Sequence, residues 1–99
     1  MHRIGRVFAG CVIALATMPA MAAGMPPSGA AGCSGCHTAN PRLATSVPPL
    51  RGRRAAEIVS AMQEFRSGQR ETTVMDRIAK GFTDSELQAI ADWYAEGKD

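Results

Sequence analysis

Cys33, Cys36 and His37 stand within five residues, as Cys33-Ser34-Gly35-Cys36-His37. The chain has only one other cysteine, Cys11, and one other histidine, His2. Both lie in an opening segment with the pattern of a cleavable export leader. His2, Arg3 and Arg6 form a basic start without an acid, and Val7 to Met18 is almost wholly apolar. Ala20-Met21-Ala22 then offers small residues where a signal peptidase reads. An apolar run of about a dozen residues is too short to span a bilayer as a helix. Residues 1–22 are therefore expected to be a signal peptide, leaving no integral membrane segment after cleavage. Phe8-Ala9-Gly10-Cys11 faintly resembles a lipoprotein cleavage box, but the apolar run continues past it, so Cys11 is read as part of the leader. On that reading, the five-residue motif holds every thiol and imidazole of the mature chain.

About 77 residues then remain. That is small for a self-sufficient apolar core. There is one Trp and one Tyr, and no second cysteine pair for a disulfide framework. Chains of this size usually need a staple. A zinc site would need two further ligands, which the mature chain lacks. A thioredoxin-like redox pair expects a βαβ context and a longer chain. Cys-x-x-Cys-His is instead the c-type haem attachment signature. On a helical turn, positions i and i+3 face the same side. Cys33 and Cys36 can each add across a haem vinyl group, and His37 can send a ring nitrogen to the iron. One motif implies one covalently attached haem c, a large apolar body around which short helices can pack.

The rest of the chain reads as helices. Residues 23–31 are rich in Ala, Gly and Pro and are expected to be a flexible lead to a domain over 32–99. Pro41, Pro48, Pro49 and Gly52 predict an extended loop over 40–53. Ala55, Ile58, Val59, Met62 and Phe65 recur at helical spacing and predict a helix from Ala55 to Arg66, stopped by Gly68. A short helix is expected over Val74 to Lys80, closed by Gly81. Thr83 and Glu86 make a capping box for a last helix whose apolar face is Leu87, Ile90, Ala91 and Tyr94. No alternating strand pattern occurs, so the expected fold class is all-α.

A six-coordinate iron needs a second axial ligand, and with no histidine left the candidates are methionines. Met25 lies in the lead. Met62 sits among the apolar positions of its helix, where core packing suits it. Met75 follows the polar stretch Arg70-Glu71-Thr72-Thr73, whose slack lets it reach across a haem; it is the ligand expected, with Met62 or an open position as alternatives. The second ring N–H of an axial histidine wants a backbone acceptor. The loop at Pro48-Pro49-Leu50 could supply one, or could be only a rigid turn.

Charge matters here by its layout. After residue 22 there are nine basic and nine acidic side chains. Residues 42–80 hold eight bases and four acids, whereas 81–99 hold one base and five acids. Such asymmetry suits orientation toward a charged protein partner, and the balance does not suit nucleic-acid binding.

In order, Cys33-Ser34-Gly35-Cys36-His37, Pro48-Pro49-Leu50-Arg51-Gly52, Met75 and a capped C-terminal helix resemble class I c-type cytochromes over Gly32 to Gly97. The resemblance implies a small fold wrapped around one haem, with the Pro48 carbonyl receiving the histidine N–H and Met75 as distal ligand. It implies an electron-transfer protein with no bond chemistry of its own. The N-terminal helix usual in that class is shortened here, since Met25-Pro26-Pro27-Ser28-Gly29 leaves only a turn or two before Cys33. The stretch from Phe65 to Phe82 is similar to the cytochrome subunits of flavocytochrome c sulfide dehydrogenases. That similarity implies an FAD-bearing flavoprotein partner that passes on electrons from sulfide, and the export leader makes the expected location periplasmic. The alternative is a free c553-like shuttle between a quinol-oxidising complex and a terminal oxidase.

Overall fold

A computed structural model describes residues 24–99, which form four helices and, among the described residues, no strand. The expected signal peptide over 1–22 lies outside the described residues. The helices are α1 (Ala30–Cys36), α2 (Ala55–Ser67), α3 (Met75–Lys80) and α4 (Asp84–Ala95). α2 packs against both α3 and α4, and the loop over 37–54 returns the chain from α1 to the start of α2.

α2 follows its apolar spacing. Ile58 and Met62 are buried, one turn apart, while Val59 and Phe65 pack against the same core. Its end is a Schellman closure. Gly68 takes the left-handed conformation at φ 79°, its N–H donates to the Phe65 carbonyl, and the Gln69 N–H donates to the Glu64 carbonyl. α4 carries the expected capping box. The Glu86 N–H donates to Thr83 Oγ1 at 3.3 Å, and the Thr83 N–H donates to Glu86 Oε2 at 2.9 Å. Leu87, Ile90, Ala91 and Tyr94 are its buried face.

Three boundaries differ from the sequence reading: α2 runs one residue further, to Ser67, and the starts of α3 and α1 move. α3 begins at Met75 rather than Val74, because Thr72 Oγ1 accepts the Met75 N–H at 2.8 Å and caps the helix from the loop. α1 begins at Ala30, inside the stretch expected as a flexible lead, and Ala30 is fully buried. Gly29 makes that start possible. Its φ is 86°, and a Cβ there would lie 2.5 Å from Cε1 of Phe82. Any other residue would meet both the left-handed backbone penalty and the ring.

α1 is seven residues long, so the shortened N-terminal helix is observed. It is tied to the C-terminal helix by packing of Ala30 into the shared core and by the Tyr94 hydroxyl, which donates to the Ala30 carbonyl. The same residue holds the other arm of the fold, because the Tyr94 carbonyl accepts the Gly52 N–H at 2.9 Å. Arg51 Nε donates to the Gly97 carbonyl at 2.8 Å beside it. Across the molecule, Arg66 on α2 ion-pairs with Asp84 at 2.6 Å and donates to the Phe82 carbonyl at 2.7 Å, fastening the α3–α4 turn to α2.

Candidate functional site

These ties surround one open apolar cavity. It encloses about 110 Å³ and widens into an open mouth. α1 contributes Cys33, with His37 just past its end. The loop contributes Pro48 and Leu50, and α2 contributes Ile58, Met62 and Phe65. Met75, Phe82, Leu87 and Ile90 complete the wall. Polar groups are confined to Arg53, Glu57 and Arg70. Arg70 is held by Glu64 at 2.7 Å, with its guanidinium 5.5 Å from the centre of the Phe65 ring.

His37 Nδ1 lies 2.6 Å from the Pro48 carbonyl oxygen. A carbonyl can only accept, so Nδ1 carries a proton and Nε2 is the nitrogen left to face a ligand. The loop that supplies this acceptor is fixed from both sides. Arg53 Nε donates to the Pro49 carbonyl at 3.0 Å, and Arg51 and Gly52 are bonded to the end of α4. The His37 N–H donates to the Cys33 carbonyl at 2.8 Å, which ties the backbone of the imidazole to the turn that carries the thiols.

Cys33 and Cys36 are both free thiols. Cys33 is half-buried against the cavity, whereas Cys36 is exposed. Burial, chiefly, pushes the Cys33 thiol above its ordinary value, and the neighbouring Cys36 adds to the rise while a backbone hydrogen bond opposes it. Cys33 Sγ also lies 3.5 Å from the Gly29 carbonyl. Met75 is half-buried and lines the cavity from the start of α3. Met62 lines it too, from within the core. Met25 is largely exposed and does not line it.

The donor chemistry fits a haem. The Cys33 thiol, an imidazole anchored through Nδ1 and thioether sulfur share a largely apolar cavity, and the Cys36 thiol lies exposed one turn along from Cys33. A zinc centre fits less well: no group of three His, Cys, Asp or Glu is placed to hold a metal ion among the described residues. The sequence reading did not single out Phe82, Arg53 or Arg70 as cavity residues. The helical spacing of Ile58, Met62 and Phe65 on α2 and of Leu87 and Ile90 on α4 marks these wall residues as apolar-face positions. No helix among the described residues is long and apolar enough to cross a membrane.

No protein-family profile matches the chain. It is similar to the cytochrome subunit of sulfide dehydrogenase of Chlorobaculum tepidum, with 36% identity over 62 residues. The match covers 63% of this chain and 56% of that protein, so the chain spans about half the length of the curated relative it matches. The chain is close to that subunit in sequence, and its all-α fold is consistent with that of a small cytochrome c.

Proposed function

We propose that this protein is an exported single-haem electron carrier that accepts electrons from a flavoprotein subunit oxidising sulfide. The observation that carries the haem reading is the pinned imidazole: His37 Nδ1 is bonded to the Pro48 carbonyl at the edge of a cavity that also presents Cys33 and Met75. Haem supplies one-electron cycling of iron between the ferric and ferrous states. Cys33 and Cys36 would hold it covalently. His37 would offer Nε2 to the iron, and the Pro48 carbonyl keeps the ring from turning and makes the imidazole a better donor. Met75 would supply a soft thioether, which favours ferrous iron. Ile58, Met62, Phe65, Leu87 and Ile90 shield the site from water.

The export part of this reading rests on the leader pattern of residues 1–22 and places the mature chain, cleaved after Ala22, in the periplasm. The partner part rests on the similarity to the sulfide dehydrogenase subunit. Its test is co-purification from the native periplasm, followed by sulfide. The expected result is a flavin-containing chain in the complex and haem reduction on addition of sulfide. Recovery without a flavin chain, or haem that stays oxidised, removes the partner while leaving the carrier. A free shuttle would then be the better description.

The ligand assignment has its own test. Met75→Ala is expected to abolish the long-wavelength absorption band of methionine-bound ferric haem, to open the reduced protein to rapid carbon monoxide binding, and to lower the reduction potential by on the order of 100 mV. Met62→Leu should leave all three unchanged, because it preserves core volume. The opposite pattern would move the ligand to α2.

A further inference from the structure

Met75 is held in different ways from its two sides. Downstream, the chain is anchored by buried contacts. Ala79 is fully buried, Phe82 packs against the core, and Arg66 on α2 donates to the Phe82 carbonyl while pairing with Asp84. Upstream, residues 67–74 are exposed throughout, so no buried side chain fixes the loop that leads into Met75. The ties of that loop are polar. The Gln69 N–H donates to the Glu64 carbonyl at 2.9 Å and closes α2. Thr72 Oγ1 accepts the Met75 N–H at 2.8 Å and starts α3. Both are local bonds at helix ends. One further tie joins the loop to the body of α2 through side chains. Arg70 Nε donates to Glu64 Oε2 at 2.8 Å, and Arg70 Nη2 lies 2.7 Å from the same oxygen. The guanidinium is 5.5 Å from the centre of the Phe65 ring. Arg70 is thus gripped between a carboxylate and an aromatic ring of the last turns of α2, and it lines the same cavity as Met75.

We propose that Glu64 and Arg70 form a clasp that keeps Met75 on the haem iron, so that both are positioning residues for the sixth ligand. Met75 is the first residue of a six-residue helix, and a helix that short has little stability of its own. With the clasp closed, only residues 71–74 lie free between the body of α2 and Met75. With it open, the free stretch runs back to the end of α2, and the arm gains conformations in which the thioether has left the iron. An exposed ion pair adds little to the stability of a whole domain. Here it acts on one local equilibrium, the opening of the distal arm, and a small free energy there is a measurable change in the open fraction. The proposal rests on the reading of Met75 as sixth ligand and not on sulfide as the electron source.

Imidazole, added to the haem-loaded ferric protein, is the probe. It reaches the iron only when Met75 has left, so its apparent affinity is proportional to the open fraction. Glu64→Ala is expected to raise that affinity about fivefold, and Arg70→Ala by a similar factor. The two together should do no more than either alone, because removing one partner already opens the clasp. If Glu64→Ala does not hold haem, Glu64→Gln carries the same expectation in its place. Without imidazole, the long-wavelength band of methionine-bound ferric haem should persist in each variant, since Met75 remains the ligand of most molecules. Asp84→Ala breaks the other ion pair that α2 makes with this region, downstream of Met75. It should leave the imidazole affinity within about twofold, because Ala79 and Phe82 still anchor that side. The proposal is overturned if Asp84→Ala raises the affinity as much as Glu64→Ala, which would mean general loosening. It is also overturned if the two alanine substitutions multiply, or if only Arg70→Ala has an effect, since Arg70 would then act on something other than Glu64. Loss of the band in Met75→Ala together with an unmoved affinity in Glu64→Ala removes the clasp and leaves Met75 as ligand. A band that survives Met75→Ala removes both.

Discussion

Replacing both Cys33 and Cys36 with alanine is expected to yield a chain that retains no haem through denaturing electrophoresis and does not hold its helices. The loss of covalent attachment follows from the thiols themselves. The loss of fold follows from how little else is inside. Among the described residues the buried apolar ones are eight, and three of them are alanines. Among the same residues, Tyr94 is the only large side chain that is wholly enclosed. Ile58, Met62, Leu87 and Ile90 are counted in the core, yet each also faces the cavity. With nothing against them they lose dispersion contacts and meet water. A core this size supplies only about 3–5 kcal/mol of net stability, so a loss of that order abolishes the folded state. Circular dichroism and a haem stain measure the two consequences separately. A stain-negative variant with wild-type helix content and a cooperative melt would show that the protein part folds alone, and would end the view of the haem as its staple.

The parts legible in the sequence were those set by neighbours along the chain. α4 announces itself through Thr83, Glu86 and an apolar face at helical spacing, and these interactions span three or four residues. α2 and its stop at Gly68 are of the same kind. The His37–Pro48 contact was a possibility on residue chemistry and a specific pairing only through resemblance; the structure sets it at 2.6 Å. What could not be read were ties between distant groups. Arg51 reaches a carbonyl 46 residues away, and Tyr94 reaches one 64 residues away. No periodicity marks such partners, because they depend on how α1 and the 48–53 loop meet the end of α4. The start of α1 was missed for a related reason. Its N-cap is a bare glycine with no capping side chain, and its left-handed backbone and the close Phe82 ring from the other end of the domain together explain why glycine stands there. The methionines show the limit most clearly: Met62 and Met75 line one cavity, and helix periodicity described only the first.

Tyr94 is where the largest effect of a single substitution is expected. Tyr94→Phe removes the hydroxyl that satisfies the Ala30 carbonyl and should cost about 1–3 kcal/mol. Tyr94→Ala also empties the centre of the core and should cost about 3–5 kcal/mol, close to the whole stability of the domain. The pH dependence distinguishes the hydroxyl from the ring. Burial, chiefly, holds the Tyr94 phenol above its ordinary value of 10.0. Between that value and the raised folded one, the unfolded chain has lost a proton that the folded chain keeps. Stability from this group is therefore complete below pH 10 and declines as pH rises beyond it. The haem-loaded wild type should lose stability in that range more steeply than Tyr94→Phe, in urea unfolding followed at several pH values. Other groups titrate there in both proteins, so the difference between the two curves is the readout. Parallel curves, or a Phe variant as stable as the wild type at pH 7, would mean that the Tyr94–Ala30 bond does not fasten α1. The lock between the two ends of the domain would then have to come from the packing of Phe82 against Gly29.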